Sequence, residues 1–203
     1  MAELRWQNKA ANRIFWVRFL TLSFVVGAIV GTMGDYCHVI TNTDGYPKRG
    51  PFPFLPIPDV NMPVWVPFLF GTAVMLMATV HKLLAKAYHP RLEKHFVLAA
   101  CAPLLFVTIY ALSGFLQFGT GGWQDVWLAA LAIFMWWAMD GTRLGAILAV
   151  TNAFFGTCFE IFLVSIGGFF YYKTHSNLMG VPSWLPWLYV IASVCISLFV
   201  RLI

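Results

Sequence analysis

Three short constellations in this 203-residue chain hold side chains able to do chemistry. The first is Asp35-Tyr36-Cys37-His38, placed just past the end of an apolar run. An aspartate and a histidine three apart at a helix end could ligate a metal or share a proton. No second histidine or carboxylate pair is spaced to complete such a site, so the alternative is an interfacial turn with both groups solvated. The second is Glu160, alone inside a long apolar run. A carboxylate at membrane depth is costly and marks function by default. It could bond a ligand hydroxyl, or tie two helices together. Proton or ion coupling would want partner charges at the same depth, and the apolar runs supply none. The third is Trp136-Trp137-Ala138-Met139-Asp140-Gly141-Thr142-Arg143. Physically it reads as an aromatic anchor and a tight turn, with Asp140 capping the next helix and pairing with Arg143. The chain has no G-x-S-x-G, H-E-x-x-H or phosphate-cradling glycine loop. These residues predict a protein that is not an enzyme, with no catalytic residue, no cofactor and no metal.

The elements that must position these groups follow from composition. Hydrophobic residues make up 60% of the chain and charged residues only 10%, with a mean hydropathy of +0.76. A soluble domain carries about a quarter of its residues as charges, so this chain uses lipid as solvent for much of its length. The net charge of +5 comes from basic residues between the apolar runs, where they face anionic headgroups and not nucleic acid. Cys37, Cys101, Cys158 and Cys195 form no C-x-x-C pair and read as small buried hydrophobes.

Six apolar runs stand out, at about 15–33, 64–84, 96–115, 123–139, 144–170 and 184–203, each near the ~20 residues a helix needs to cross the hydrocarbon core. The first run is too long for a signal-peptide core and is read as a span. The fifth is long enough to tilt, or to break near Gly167 and Gly168. With six spans, Arg5, Lys9, Arg13, Arg18, Lys82, Lys86, Arg91, Lys94, Arg143 and Arg201 fall on one side and Lys48, Arg49 and Lys173 on the other. That bias predicts an all-α six-helix membrane bundle, a single transmembrane domain with both termini cytoplasmic. The outer loop, 34–63, contains Pro47, Pro51, Pro53, Pro56 and Pro58, which favour a stiff, extended connection. Gly27, Gly31 and Gly34 give the first span a smooth face for close packing.

Several motifs in order resemble the Insig (insulin-induced gene) family. They are Trp65-Val66-Pro67 with Gly71-Thr72-Ala73; Phe106-Val107-x-Ile109 with Ser113 and Phe118; Leu128-Ala129-Ala130-Leu131; Trp136-Trp137 with Asp140, Arg143 and Gly145; and Ser183-Trp184-Leu185-Pro186. The resemblance covers roughly residues 64–203. It implies a six-span bundle with cytosolic termini and a non-enzymatic lipid sensor that binds a sterol-like ligand and retains membrane-protein partners. It places such a protein in the endoplasmic reticulum of a eukaryote or the cytoplasmic membrane of a bacterium. By resemblance, Phe106 lines the sterol site and Asp140 is needed for partner binding. Trp123 stands where the family has a site glutamine, with Gln124 one position off. The stretch Ile109–Phe118 lacks the family's His, Lys and Asp, and the sequence ends at Leu202-Ile203, where the family continues into a polar tail. The chain thus reads as a minimal or distant homologue, and without sterols its ligand would be another lipid, such as a diacyl glycerolipid.

The expected lipid site is Phe106, Ser113, Gln117, Trp123, Gln124, Thr157 and Glu160. Phe106, Ser113 and Gln117 share one face of a helical third span, and Thr157 and Glu160 lie one turn apart on the fifth. Asp140 and Arg143 are the expected partner contacts. A scaffold without a ligand, docking another membrane protein, is the alternative, and homo-oligomers are a further expectation from the glycine face. A small intramembrane enzyme or transporter would need Asp35, His38 and Glu160 to converge from different spans.

Overall fold

The structure is a computed structural model that describes residues 2–47, 53–57, 60–85, 87, 89, 91, 95–116, 122–172 and 177–203. Gln117, Pro51 and Pro58 lie outside the described residues. The described residues form six α-helices: α1 (Ala2–Ile40), α2 (Trp65–Leu84), α3 (Phe96–Phe115), α4 (Trp123–Met135), α5 (Arg143–Ser165) and α6 (Leu185–Leu202). Five of them, all but α4, are long and apolar enough to cross a membrane. α4 continues through one π turn, Trp136–Asp140, where the Gly141 amide bonds back to the Trp136 carbonyl. Left-handed backbone at Gly141 (φ 67°) then ends the helical path.

The glycine face of α1 makes the tightest seam. A Cβ at Gly27 or Gly31 would collide with Val74 or Phe70 of α2, and one at Gly34 with the Tyr110 ring of α3. Small residues let the backbones approach where lipid tails give no hydrophobic drive. α6 is the central post. Two thirds of its apolar window is buried, and it packs against α2, α3, α4 and α5. The outer surface of the bundle exposes large apolar side chains on every helix from α1 to α5, as a lipid-facing belt does.

Of two further features, the first departs from the hydropathy reading and the second is the break it allowed near Gly167 and Gly168. α1 does not stop near Met33 but runs on to Ile40, so Asp35 and His38 sit on the helix rather than in a solvated turn. They are 4% and 0% exposed. Their polar groups are held by partners from distant elements, which hydropathy cannot register. α5 ends at Ser165, ahead of a reversal with left-handed Gly167 (φ 74°). Beyond it, β2 (Phe170–Tyr171) pairs antiparallel with β1 (Asp44–Gly45), which follows α1. This short ribbon ties the ends of α1 and α5 together and seats Asp44, Tyr46 and Tyr171 at one end of the bundle.

Candidate functional site

A cavity of about 670 Å³ lies among α1, α2, α3, α5 and α6. Most of its wall is apolar; its carboxylates and tyrosines gather at the ribbon end, and Thr72 and Asn152 line it further along α2 and α5. There Tyr46 and Tyr171 close over it with Trp65 and Phe169; ring centroids are 5.7 Å apart for Tyr46 and Trp65 and 5.5 Å for Phe169 and Tyr171. Pockets of this size and lining take drug-sized or lipid ligands, with a few polar groups fixing orientation. α2 and α5 both flank α6, but no extended seam joins them. Leu76, Phe155 and Phe159 line the cavity from those two helices and are also exposed on the bundle surface. The cavity therefore has a side opening toward the bilayer.

Its polar end is built from carboxylates and tyrosines. Glu160 of α5 accepts a hydrogen bond on each oxygen, from Tyr171 and from Tyr189 of α6, both at 2.6 Å. Asp35 of α1 accepts one from Tyr46 at 2.7 Å. Asp35, Glu160, Tyr46, Tyr110, Tyr171 and Tyr189 all line the cavity. The fold thus brings Asp35 within electrostatic reach of Glu160, with His38 and Asp44 beside them. Burial pushes the Asp44 carboxyl well above the usual carboxylate range, and the charge of Glu160 adds to the shift. Burial likewise raises the Tyr46 phenol, reinforced by Asp35 and Asp44.

His38 bridges to a second, sealed cluster. Its Nε2 lies 2.8 Å from the Ser113 hydroxyl, and its Nδ1 lies 3.7 Å from Asp44. The order Ser113, His38, Asp44 imitates a nucleophile, base and orienter. Ser113 is fully buried, however, its hydroxyl donates to the Tyr110 carbonyl at 2.7 Å, and it does not line the cavity. No substrate reaches it, so the cluster locks α3 to α1. No group of three metal-ligating side chains occurs among the described residues.

The seven side chains expected at a lipid site are distributed as follows. Phe106 and Glu160 line the cavity. Ser113 and Gln124 do not; the Gln124 amide donates to the Ser113 carbonyl, which fastens the start of α4 to the end of α3. Trp123 is 66% exposed on the outer surface. Thr157 is buried away from the cavity, and its hydroxyl has no partner among the described residues. Gln117 lies outside the described residues. Residue spacing told which side chains share a helix face but not which face meets the cavity. Asp35, Tyr46, Tyr110, Tyr171 and Tyr189 were not in the expected set. The signal that could have found them is the run of tyrosines near the span ends, which hydropathy reads as interfacial anchors.

At the opposite end, Asp140 is 1% exposed and turned inward. Its Oδ1 accepts from the Thr142 amide at 2.9 Å and from the Thr142 hydroxyl, which in turn caps α5 by accepting from the Gly145 amide. Asp140 does not cap α5 itself and forms no ion pair with Arg143; the short loop lets Thr142 take the cap. The Asp140 carbonyl accepts from the Arg91 amide at 2.9 Å, and the Arg91 guanidinium stacks over Trp137 at 5.3 Å. Arg143 is exposed.

A bundle of apolar helices around an internal cavity, five of them long and apolar enough to cross a membrane, defines an integral membrane protein. The comparisons make the class specific. The chain is 31% identical to the Insulin-induced gene 1 protein of Gallus gallus over 178 residues, 86% of this chain and 67% of that one. It is 29% identical to an INSIG protein homolog of Mycolicibacterium vanbaalenii over 168 residues, 82% of this chain and 77% of that one. The crystal structure of the mycobacterial Insig homologue MvINS superposes with a TM-score of 0.77 at 25% identity, covering 92% of this chain and 94% of that one. A cross-linked trimer of a cysteine variant of MvINS superposes with a TM-score of 0.78, also at 25% identity. No family model matches the chain. The chain belongs to the Insig family. It spans about half the length of several curated relatives it matches, 53% for that of Xenopus tropicalis.

Proposed function

We propose that this protein is a membrane lipid sensor with six spans and cytoplasmic termini, which holds one amphipathic lipid among its helices and performs no catalysis. The observation that carries this reading is the 670 Å³ cavity, apolar along most of its length with its carboxylates at one end. The ligand enters from the bilayer between α2 and α5, its tail runs along Phe106 and Phe199, and its head meets Asp35 and Glu160. The family resemblance favours a sterol-like lipid, with a diacylglycerol-like lipid in its place where no sterol is made. The non-catalytic reading is supported by the sealing of Ser113 and by tyrosine bonds on both oxygens of Glu160. The test is to purify the protein in mild detergent and identify co-purifying lipids by mass spectrometry against an unrelated six-span control. One enriched lipid near one per chain supports the sensor. Bulk lipid at control levels for wild type and for Glu160→Leu alike removes it.

A second reading, a scaffold that docks another membrane protein, is favoured by the exposed Arg143 beside the rigid Asp140 turn. The two readings are compatible if lipid occupancy alters that face. The trimeric form of MvINS supports a homo-oligomer as one such partner.

A further inference from the structure

The sensor reading fixes a cavity but not the head of its ligand, and the polar end narrows that choice. Resting on that reading, we propose that the cavity takes a lipid bearing a primary amine, whose ammonium sits between Asp35 and Glu160.

Among the described residues no Lys, Arg or His lines the cavity; its ionisable side chains are Asp35, Glu160, Cys158, Cys195 and tyrosines. A carboxylate offers about four lone-pair sites. Glu160 uses one on each oxygen, and Asp35 receives a single hydrogen bond, from Tyr46. Each tyrosine hydroxyl has one proton to give, and those of Tyr46, Tyr171 and Tyr189 are already committed. Just behind them, Asp44 keeps its Oδ1 buried without a partner among the described residues. The nearby His38 spends its Nε2 on Ser113 and lies 3.7 Å from Asp44 through its Nδ1. The end of the cavity therefore has acceptors to spare, and of the phenol donors lining it only the Tyr110 hydroxyl is not given to a carboxylate.

Three kinds of head can be weighed against that surplus. A phosphate brings acceptors and negative charge, and it would meet carboxylates with no cation between. A hydroxyl brings one donor. An ammonium brings three donors, no acceptor and the opposite charge, and its bonds to carboxylates are charge-assisted. Unpaired carboxylates at membrane depth are costly, and a cationic guest supplies the partner that the chain itself does not. The rest of the cavity suits a tail. Its α2 wall from Trp65 to Met77 rises about 18 Å at 1.5 Å per residue, and it is almost wholly apolar.

The test uses the whole protein in zwitterionic nanodiscs with three probes that share one tail: octadecylamine, octadecanol and octadecyl phosphate. Native mass spectrometry reads what is retained per chain. One octadecylamine per chain is expected, held about tenfold more tightly than octadecanol, the difference between a charged and a neutral hydrogen bond, with octadecyl phosphate excluded. Glu160→Gln or Asp35→Asn should abolish that preference while octadecanol is still retained, which shows the fold intact. If a variant retains nothing, the wild-type ranking alone decides. Equal or tighter retention of octadecanol by wild type overturns the amine and returns the head to the hydroxyl class of a sterol- or diacylglycerol-like lipid. A preference unchanged in both variants overturns it as well. Failure of all three probes, with no lipid co-purifying, overturns the sensor reading beneath it.

Discussion

The molecule buries aspartates at both ends, and it treats them in opposite ways. Asp140 is satisfied within its own turn, by the amide and hydroxyl of Thr142 two residues on. Asp35 and Glu160 are satisfied only by tyrosines brought from elsewhere: Tyr46 from the loop after β1, Tyr171 from β2 and Tyr189 from α6. The Asp140 end is a latch that does not line the cavity, and the other end is an open assembly that does. A carboxylate bonded within its own turn and away from the cavity wall holds structure. One that keeps acceptor capacity at a cavity wall can also answer to a ligand.

The largest expected effect breaks the latch. Asp140→Ala leaves the Thr142 amide and hydroxyl without their acceptor in a buried turn, and costs about 3 kcal/mol. Thermal unfolding of the detergent-solubilised protein reads this loss. Lipid retention measured well below the melting range should be unchanged, because Asp140 does not line the cavity. A stable variant that loses its lipid would contradict the separation of the two ends.

Next comes the other carboxylate. Glu160→Leu strands the hydroxyls of Tyr171 and Tyr189 and should cost about 2 kcal/mol. Unlike Asp140→Ala, it should also reduce lipid per chain, as read by mass spectrometry after purification. Adding Tyr171→Phe and Tyr189→Phe should restore much of the stability, since removing both partners of a buried bond is nearly neutral, but should not restore the lipid. That split between stability and retention is what distinguishes a ligand contact from a mere helix tie.

How far these ends were legible in the sequence follows the same division. The Asp140 turn is local, and its tight, glycine-containing reversal could be read from Trp136 to Arg143, although the cap fell to Thr142. The apolar runs behind α2, α3 and α6 stand out because proline, glycine or charge interrupts them. The extension of α1 to Ile40 was not visible, because Asp35 and His38 are polar and find partners only through the fold. Glu160 stood out as a lone carboxylate, but its convergence with Asp35 depends on the β1–β2 ribbon, two residues long on each strand. Ser113, Gln124 and Thr157 show the limit of spacing arguments. Helical periodicity groups side chains on a face, and only packing decides what that face meets.

A smaller effect sharpens the comparison through pH. The Asp44 carboxyl has its pKa raised, by burial first and then by Glu160. Because the folded value exceeds the unfolded one, the neutral carboxyl stabilises the fold at low pH. That contribution is lost as pH rises from the ordinary carboxylate range through the raised value. Asp44→Asn should therefore flatten the fall in stability with rising pH, measured by denaturation at a series of pH values. An unchanged slope in Asp44→Asn would place the pH dependence on another group and remove Asp44 from the contrast between the ends.

The smallest effect on stability belongs to Arg143. It is exposed beside the latch, and surface changes away from caps and cores usually stay within about 0.5 kcal/mol. Arg143→Ala should leave the melting temperature and the lipid content as they are. If the Asp140 end is a docking face, the same variant should still weaken capture of a membrane partner or of a second copy of the chain, because an exposed guanidinium can reach another molecule and a buried carboxylate cannot. Asp140→Ala would weaken it too, but by loosening the turn, so its effect should follow the fraction of protein folded at the assay temperature. Arg143→Ala should act at every temperature below melting. If capture in both variants follows folded fraction alone, the latch is structural and docking lies elsewhere on the bundle.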